Sequence, residues 1–246
     1  DVTSAIATFS GTSGSANINL SGGAANFTGA HTGTGKLTVS SGSLTGSGGA
    51  EFGSLAWTGG SVNGKVKSTG NATITGAAKT IGSLGELTLA GTSNTVTAEL
   101  TNQGKFNKDG TTTTEVTAKF DSTGTVNANA GTLKLTGGGK SSNTVSVGAD
   151  AKLEVATTAY TFENAALSTT GTGLIELTGA TTTFKNTTGN AKVRANGGNL
   201  DFDTALSSLG SLALDAGTVT STSTGSAEVG SLAWTGGSVN GKVKST

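Results

Sequence analysis

The chain has 246 residues, 41 of them glycine, with no proline, cysteine or methionine and only two tryptophans and one tyrosine. Apolar residues make up 33% and charged residues 12%, against about 45–50% and about 25% in an ordinary globular domain, and 15 basic side chains balance 15 acidic ones. This arithmetic excludes an electrostatic footprint for nucleic acid or an anionic membrane surface, a disulfide framework or thiol chemistry, and a bilayer-spanning run of about 18 apolar residues.

At the N-terminus there is no signal-peptide pattern and no initiator Met, so the chain reads as an excised piece of something longer. Helix templates fit badly, because Gly, Thr, Ser and Asn crowd nearly every window. Apolar-polar-apolar triplets recur instead, at Ile18-Asn19-Leu20, Leu37-Thr38-Val39, Leu87-Thr88-Leu89, Leu133-Lys134-Leu135, Val145-Ser146-Val147, Leu153-Glu154-Val155, Ile175-Glu176-Leu177 and Leu212-Ala213-Leu214. In a strand the two outer side chains of such a triplet share one face. Pairs such as Gly22-Gly23, Gly59-Gly60, Asn63-Gly64 and Gly197-Gly198 fall between them, where turns need φ > 0. The pattern predicts an all-β chain.

Three series set its period. Ile18, Leu37, Leu55 and Ile74 step by 19, 18 and 19; Leu87, Phe106, Val126 and Val145 by 19, 20 and 19; Leu133, Leu153, Ile175, Val193, Leu212 and Leu232 by 20, 22, 18, 19 and 20. A recurrence near 19–20 residues predicts the coils of a parallel β-solenoid (β-helix), about 12 of them over residues 1–246, with inward side chains stacked into a narrow column. Low hydrophobicity suffices for so thin a core, proline has no place on doubly paired strands, and Asn is expected to form ladders at corners. Disorder usually brings high net charge and no period. A β-sandwich would show turn signals every 8–12 residues.

A larger repeat lies above the coil. Residues 53–69, GSLAWTGGSVNGKVKST, recur unchanged at 230–246, displaced by 177. Upstream the match weakens but persists at an offset of 175, with Phe9, Gly14, Phe27 and Leu37 meeting Phe184, Gly189, Phe202 and Leu212, so residues 1–69 correspond to 176–246. The reading is a tandem array whose coils continue beyond both ends. Its expected partners are neighbouring copies of the same repeat, end to end and laterally, because a bare solenoid end exposes strand edges.

The stretches LTNQGKFN (100–107) and GTVNANAGTLKLTGGG (124–139), with related phrases at 120–126 and 184–189, resemble the repeats of very large secreted bacterial β-helix proteins. These are the filamentous-haemagglutinin-like and autotransporter-passenger adhesins. The resemblance implies a right-handed parallel β-helix at the bacterial cell surface, serving in adhesion or in building extracellular material.

Little in the sequence points to chemistry. His31 is the only histidine, and its counterpart in the second copy is Leu206, which suggests an exposed or semi-buried site with no fixed task. No Gly-x-Ser-x-Gly elbow occurs. Gly137-Gly138-Gly139-Lys140-Ser141 has the look of a phosphate loop, but Lys134 stands where its first glycine belongs. Asp201 and Asp203 flank Phe202 and are expected on one outer face, roughly 7 Å apart, as a weak calcium pair or a solvated face. Glu154 and Glu176 are expected to stack on adjacent coils beside Lys134 and Lys152 in a structural ladder. The threonine runs 111–114 and 181–183 are too isolated for an ice-binding face, and Asn26, Asn71 and Asn186 lie in Asn-x-Thr sequons. Trp57 and Trp234 occupy one position in the two copies, either as core or as one exposed aromatic per repeat that anchors lateral contacts or stacks on a sugar.

The expectation is a non-enzymatic, cofactor-free and metal-free structural segment of an extracellular rod, stalk or filament. An adhesin segment that binds glycans directly comes second. A polysaccharide-cleaving β-helix or phage tail spike comes third.

Overall fold

The computed structural model describes residues 1–179, 181–203, 206–222 and 224–246. Among these, 34 strands pair in parallel without a helix, and about 12 coils stack one on the next as a β-solenoid. Each coil lays two consecutive segments into a 21-stranded sheet. Its third segment enters a 10-stranded sheet, or a 3-stranded one in the last coils. Short strands follow from the glycine and asparagine corners, which turn the chain before a strand can lengthen.

The inward side chains form continuous columns. One runs through register partners from Val2 to Leu20, Val39 and Trp57. From Trp57 it passes through Ile74, Val96, Val116, Leu135, Val155, Leu177, Ala195 and Leu214 to Trp234, nine coils further on. Every member but Trp234 is buried. The expected column from Leu133 to Leu232 is present at each step, as is that from Leu87 to Val145 in the 10-stranded sheet. The series through Ile18 slips at its last step. Leu55 pairs with Ala72, and Ile74 lies against Trp57 one column over.

Aromatic rings thicken the core at intervals. Phe162, Phe184 and Phe202 follow one another with tilted rings at centroid distances of 5.2 and 5.6 Å, and Phe9 stacks on Phe27 at 4.7 Å. Burying one such large apolar side chain contributes roughly 1.5–3 kcal/mol, so a few per coil offset the ordering of a short strand. Corners stack as closely as the strands do. A Cβ on Gly91 would lie 1.8 Å from the Gly70 carbonyl oxygen on the coil before, so only glycine fits there. The expected corner ladder is present at Asn164 and Asn186, which have φ of 53° and 52° and are joined by a 2.8 Å hydrogen bond from Asn186 Nδ2 to Asn164 Oδ1.

The middle of the core is more polar than the period implied. Lys79 and Lys108 are fully buried. The Lys79 ammonium donates to the Ala77 carbonyl, and that of Lys108 to the carbonyls of Gly110 and, at 3.0 Å, Ala130. Asn102 is also wholly inside; its amide donates to Ser122 Oγ and to the Thr125 carbonyl, both at 2.9 Å.

Candidate functional site

The identical 17-residue segments share one local hydrogen bond. In each, an indole Nε1 donates to a carbonyl three residues on, Trp57 to Gly60 and Trp234 to Gly237, both at 3.3 Å. Of the two positions open to this tryptophan, Trp57 takes the core one, at 0% exposure between Val39 and Ile74. It offers no ring to a sugar or a neighbour. Trp234 is 56% exposed because Leu214 covers it on one side only.

His31 is neither exposed nor half-buried. It sits inward in the 10-stranded sheet between Thr12 and Ala50, at 6% exposure. Its ring packs 4.7 Å from Phe52 and 5.7 Å from Phe27. Nδ1 lies 2.7 Å from Thr12 Oγ1, Nε2 has no partner, and burial lowers its pKa. The side chain of its counterpart Leu206 lies outside the described residues. Ser141 of the glycine-rich run is buried and bonded to the Tyr160 hydroxyl at 2.8 Å, facing away from any phosphate in solvent. Asp201 and Asp203 alternate with buried Phe202 on an outer face, and Asp201 accepts from Thr220 Oγ1 at 2.9 Å. Each threonine run sends one hydroxyl inward, at Thr114 and Thr182. Among the described residues no three His, Cys, Asp or Glu side chains converge to hold a metal ion.

Glu154 and Glu176 are register partners on adjacent coils. Glu154 meets Lys134 at 3.3 Å and Lys152 at 3.0 Å. Glu176 meets Lys152 at 2.8 Å and Arg194 at 3.7 Å, and Arg194 reaches Asp215 at 2.5 Å. Burial raises the Glu154 pKa, but the two ammoniums outweigh it and hold the carboxyl below its ordinary value. For Lys152 the hydrogen bond to Glu176 outweighs burial, and the pKa rises. The ladder is self-neutralising and leaves no unbalanced charge for a ligand.

A second constellation is absent from the sequence reading. The corner at residues 63–64 has two residues, while the corners stacked on either side of it, 46–49 and 82–85, have four each. The coil is shortened accordingly. Ala50 to Val66 is 16 residues, against 19 from His31 to Ala50 and 21 from Val66 to Leu87. The short corner leaves a notch of about 260 Å³, bordered by Gly48, Gly49, Lys65, Glu86, Thr88 and the Glu51–Lys67 pair, which closes at 3.0 Å.

The 16-residue step recurs from Ala227 to Val243. There a cavity of about 410 Å³ is bordered by Ser226, Glu228, Lys242 and Lys244, with Lys244 and Glu228 at 3.2 Å. Glu51, Lys65 and Lys67 thus correspond to Glu228, Lys242 and Lys244. The signal in the sequence was the unchanged VNGKVKST together with a glutamate 14 residues before its first lysine in both copies. Compared with known proteins, the chain matches no family model, no curated protein and no solved structure.

Proposed function

We propose that the chain is a structural segment of a long extracellular repetitive β-solenoid, forming a cell-surface rod, stalk or filament. The observation that carries this reading is the column from Val2 to Trp234, which continues through every coil without a break in register. Parallel backbone ladders on every side of such a column resist bending and leave proteases little extended chain to grip. The 177-residue offset between the copies spans nine coils, so each added repeat lengthens the rod by about 43 Å at ~4.8 Å per stacked strand. The register-paired carboxylates of Glu154 and Glu176 are bridged by Lys152, as a ladder that holds coils together requires.

Cryo-electron microscopy of the native full-length material tests the reading. Filaments or rods with an axial repeat near 43 Å or a multiple support it. Compact particles that release reducing sugar ends from polysaccharide overturn it.

A further inference from the structure

His31 is held in a setting that a rod does not need. The ring points inward at 6% exposure and packs on Phe27 and Phe52. Nδ1 is matched to the Thr12 hydroxyl at 2.7 Å, while Nε2 is buried without a partner among the described residues. Nε2 lies over Gly33, where even a Cβ would come to 3.0 Å. The second copy shows what the pair contributes. There Leu206 and Ser208 stand for His31 and Gly33, but Thr187 keeps the place of Thr12. Thr187 is fully buried and its hydroxyl has no partner among the described residues. The conserved hydroxyl is therefore matched only where the imidazole is present.

We propose that His31 makes its level of the first copy an acid-sensitive seam in the solenoid. A proton taken up in mild acid puts an N–H on both ring nitrogens, and the one on Nε2 has no acceptor. A charged, half-satisfied ring packed on two phenylalanines is costly to keep buried. Residues 12–14, 31–33 and 50–52, which stack through it, part to let water reach it. The level of the second copy that carries leucine has no such proton site and stays closed. No nearby charge offsets the proton. Thr12–Gly14 and Ile18–Phe27 carry no titratable side chain. On Ala50–Phe52, Glu51 alternates with two buried residues and pairs with Lys67 at 3.0 Å. Lys65 and Glu86 share the notch that His31 borders, and Asp1, with its carboxylate and α-amino group, shares a cavity of about 390 Å³ with the ring. The Asp1 carboxylate accepts from Asn19 Nδ2 at 2.8 Å, and none of these groups forms an ion pair with His31. The seam rests on packing alone and holds whether or not the solenoid is part of a rod.

Burial lowers the pKa of the ring below 6.5 in the folded chain. The level is thus fully stable above 6.5 and loses stability as pH falls below it, until the folded ring also takes the proton. His31 is the only histidine, so no other side chain of ordinary pKa titrates in that window. The test is hydrogen exchange of this chain read by mass spectrometry, with rates normalised for intrinsic exchange at each pH. Opening of residues 12–33 is expected to increase by up to about tenfold per pH unit below 6.5, the limit for uptake of one proton. Opening of residues 187–208 should stay level, and His31→Leu should abolish the response at 12–33. Titration of the single imidazole by NMR needs no variant and is expected to give a pKa below 6.5. A ring that titrates at or above 6.5, the same acid response in His31→Leu, or an equal response at both levels overturns the seam.

Discussion

Glu154 and Glu176 face one another in register on adjacent coils, with the Lys152 ammonium 3.0 Å from one carboxylate and 2.8 Å from the other. Two like charges placed directly opposite on neighbouring strands destabilise a sheet, so the lysine between them is what makes the pairing tolerable. Lys152→Met removes that bridge and is expected to cost about 1–2 kcal/mol, between the values for exposed and buried pairs. The Glu154 carboxyl is held below its ordinary pKa of 4.5, so its share is present above that pH and lost as pH falls through the depressed folded value. Lys152 is held above 10.5, so its share is full below that pH and lost as pH rises through the raised value. Chemical denaturation of parent and variant should show a constant gap between these limits, shrinking in acid.

Lys108 presents the opposite case, a buried ammonium with carbonyl partners. Its pKa is lowered by burial, which the nearby Asp109 charge only partly offsets. Keeping it charged inside the folded chain therefore costs stability below the folded value, and the cost disappears as pH rises toward 10.5. Lys108→Met, similar in length and apolar, is expected to stabilise the solenoid by ~1 kcal/mol or more at neutral pH. The gain should diminish in alkaline denaturation series. A variant less stable than the parent at pH 7 would show that the two carbonyl contacts outweigh desolvation.

The two tryptophans share a sequence but not an environment. Trp57→Ala opens a cavity in the continuous column and is expected to cost about 3–5 kcal/mol. Trp234→Ala should cost less than about 1 kcal/mol in this chain, since the ring is covered on one side. Acrylamide quenching offers a direct measurement: Trp234→Phe, which leaves only Trp57, should give fluorescence that resists the quencher, and Trp57→Phe should give fluorescence that does not.

The Asn164–Asn186 ladder combines a side-chain hydrogen bond with left-handed backbone at both residues. Asn186→Gly keeps the backbone at ease and loses only the amide bond, an expected ~0.5–1.5 kcal/mol. Asn186→Ala keeps a Cβ in the left-handed region without the polar side chain that lets Asn tolerate it, and is expected to cost roughly 1–2 kcal/mol more than the glycine variant. Guanidinium unfolding that ranks parent, glycine and alanine variants in that order checks the assignment. Equal losses would mean that the corner relaxes out of the left-handed region.

Period two and period twenty were legible because each arises from a local rule. Alternation decides which side chains share a face, and the steps from Leu133 to Leu232 decide which residues stack. The slip at Ile74 shows the limit. Ala72 and Ile74 both point inward, so a shift of two residues preserves the alternation, and only the packing of Ile74 against Trp57 selects the register. His31 is buried against the pattern for a related reason: imidazole is polar in the chain but packs against Phe27 and Phe52 once the coils close.

The sequence alone thus determined an all-β chain, its coil length and its large repeat, because strand alternation, glycine corners and repeated segments are properties of neighbours along the backbone. Tertiary structure alone decided that Lys79 and Lys108 lie inside, that Trp57 is core, and that a two-residue corner between two four-residue corners opens a notch beside Lys65. Those outcomes depend on which coil lies above and below. That neighbour stands about twenty residues away in the chain, where no local pattern reports its shape.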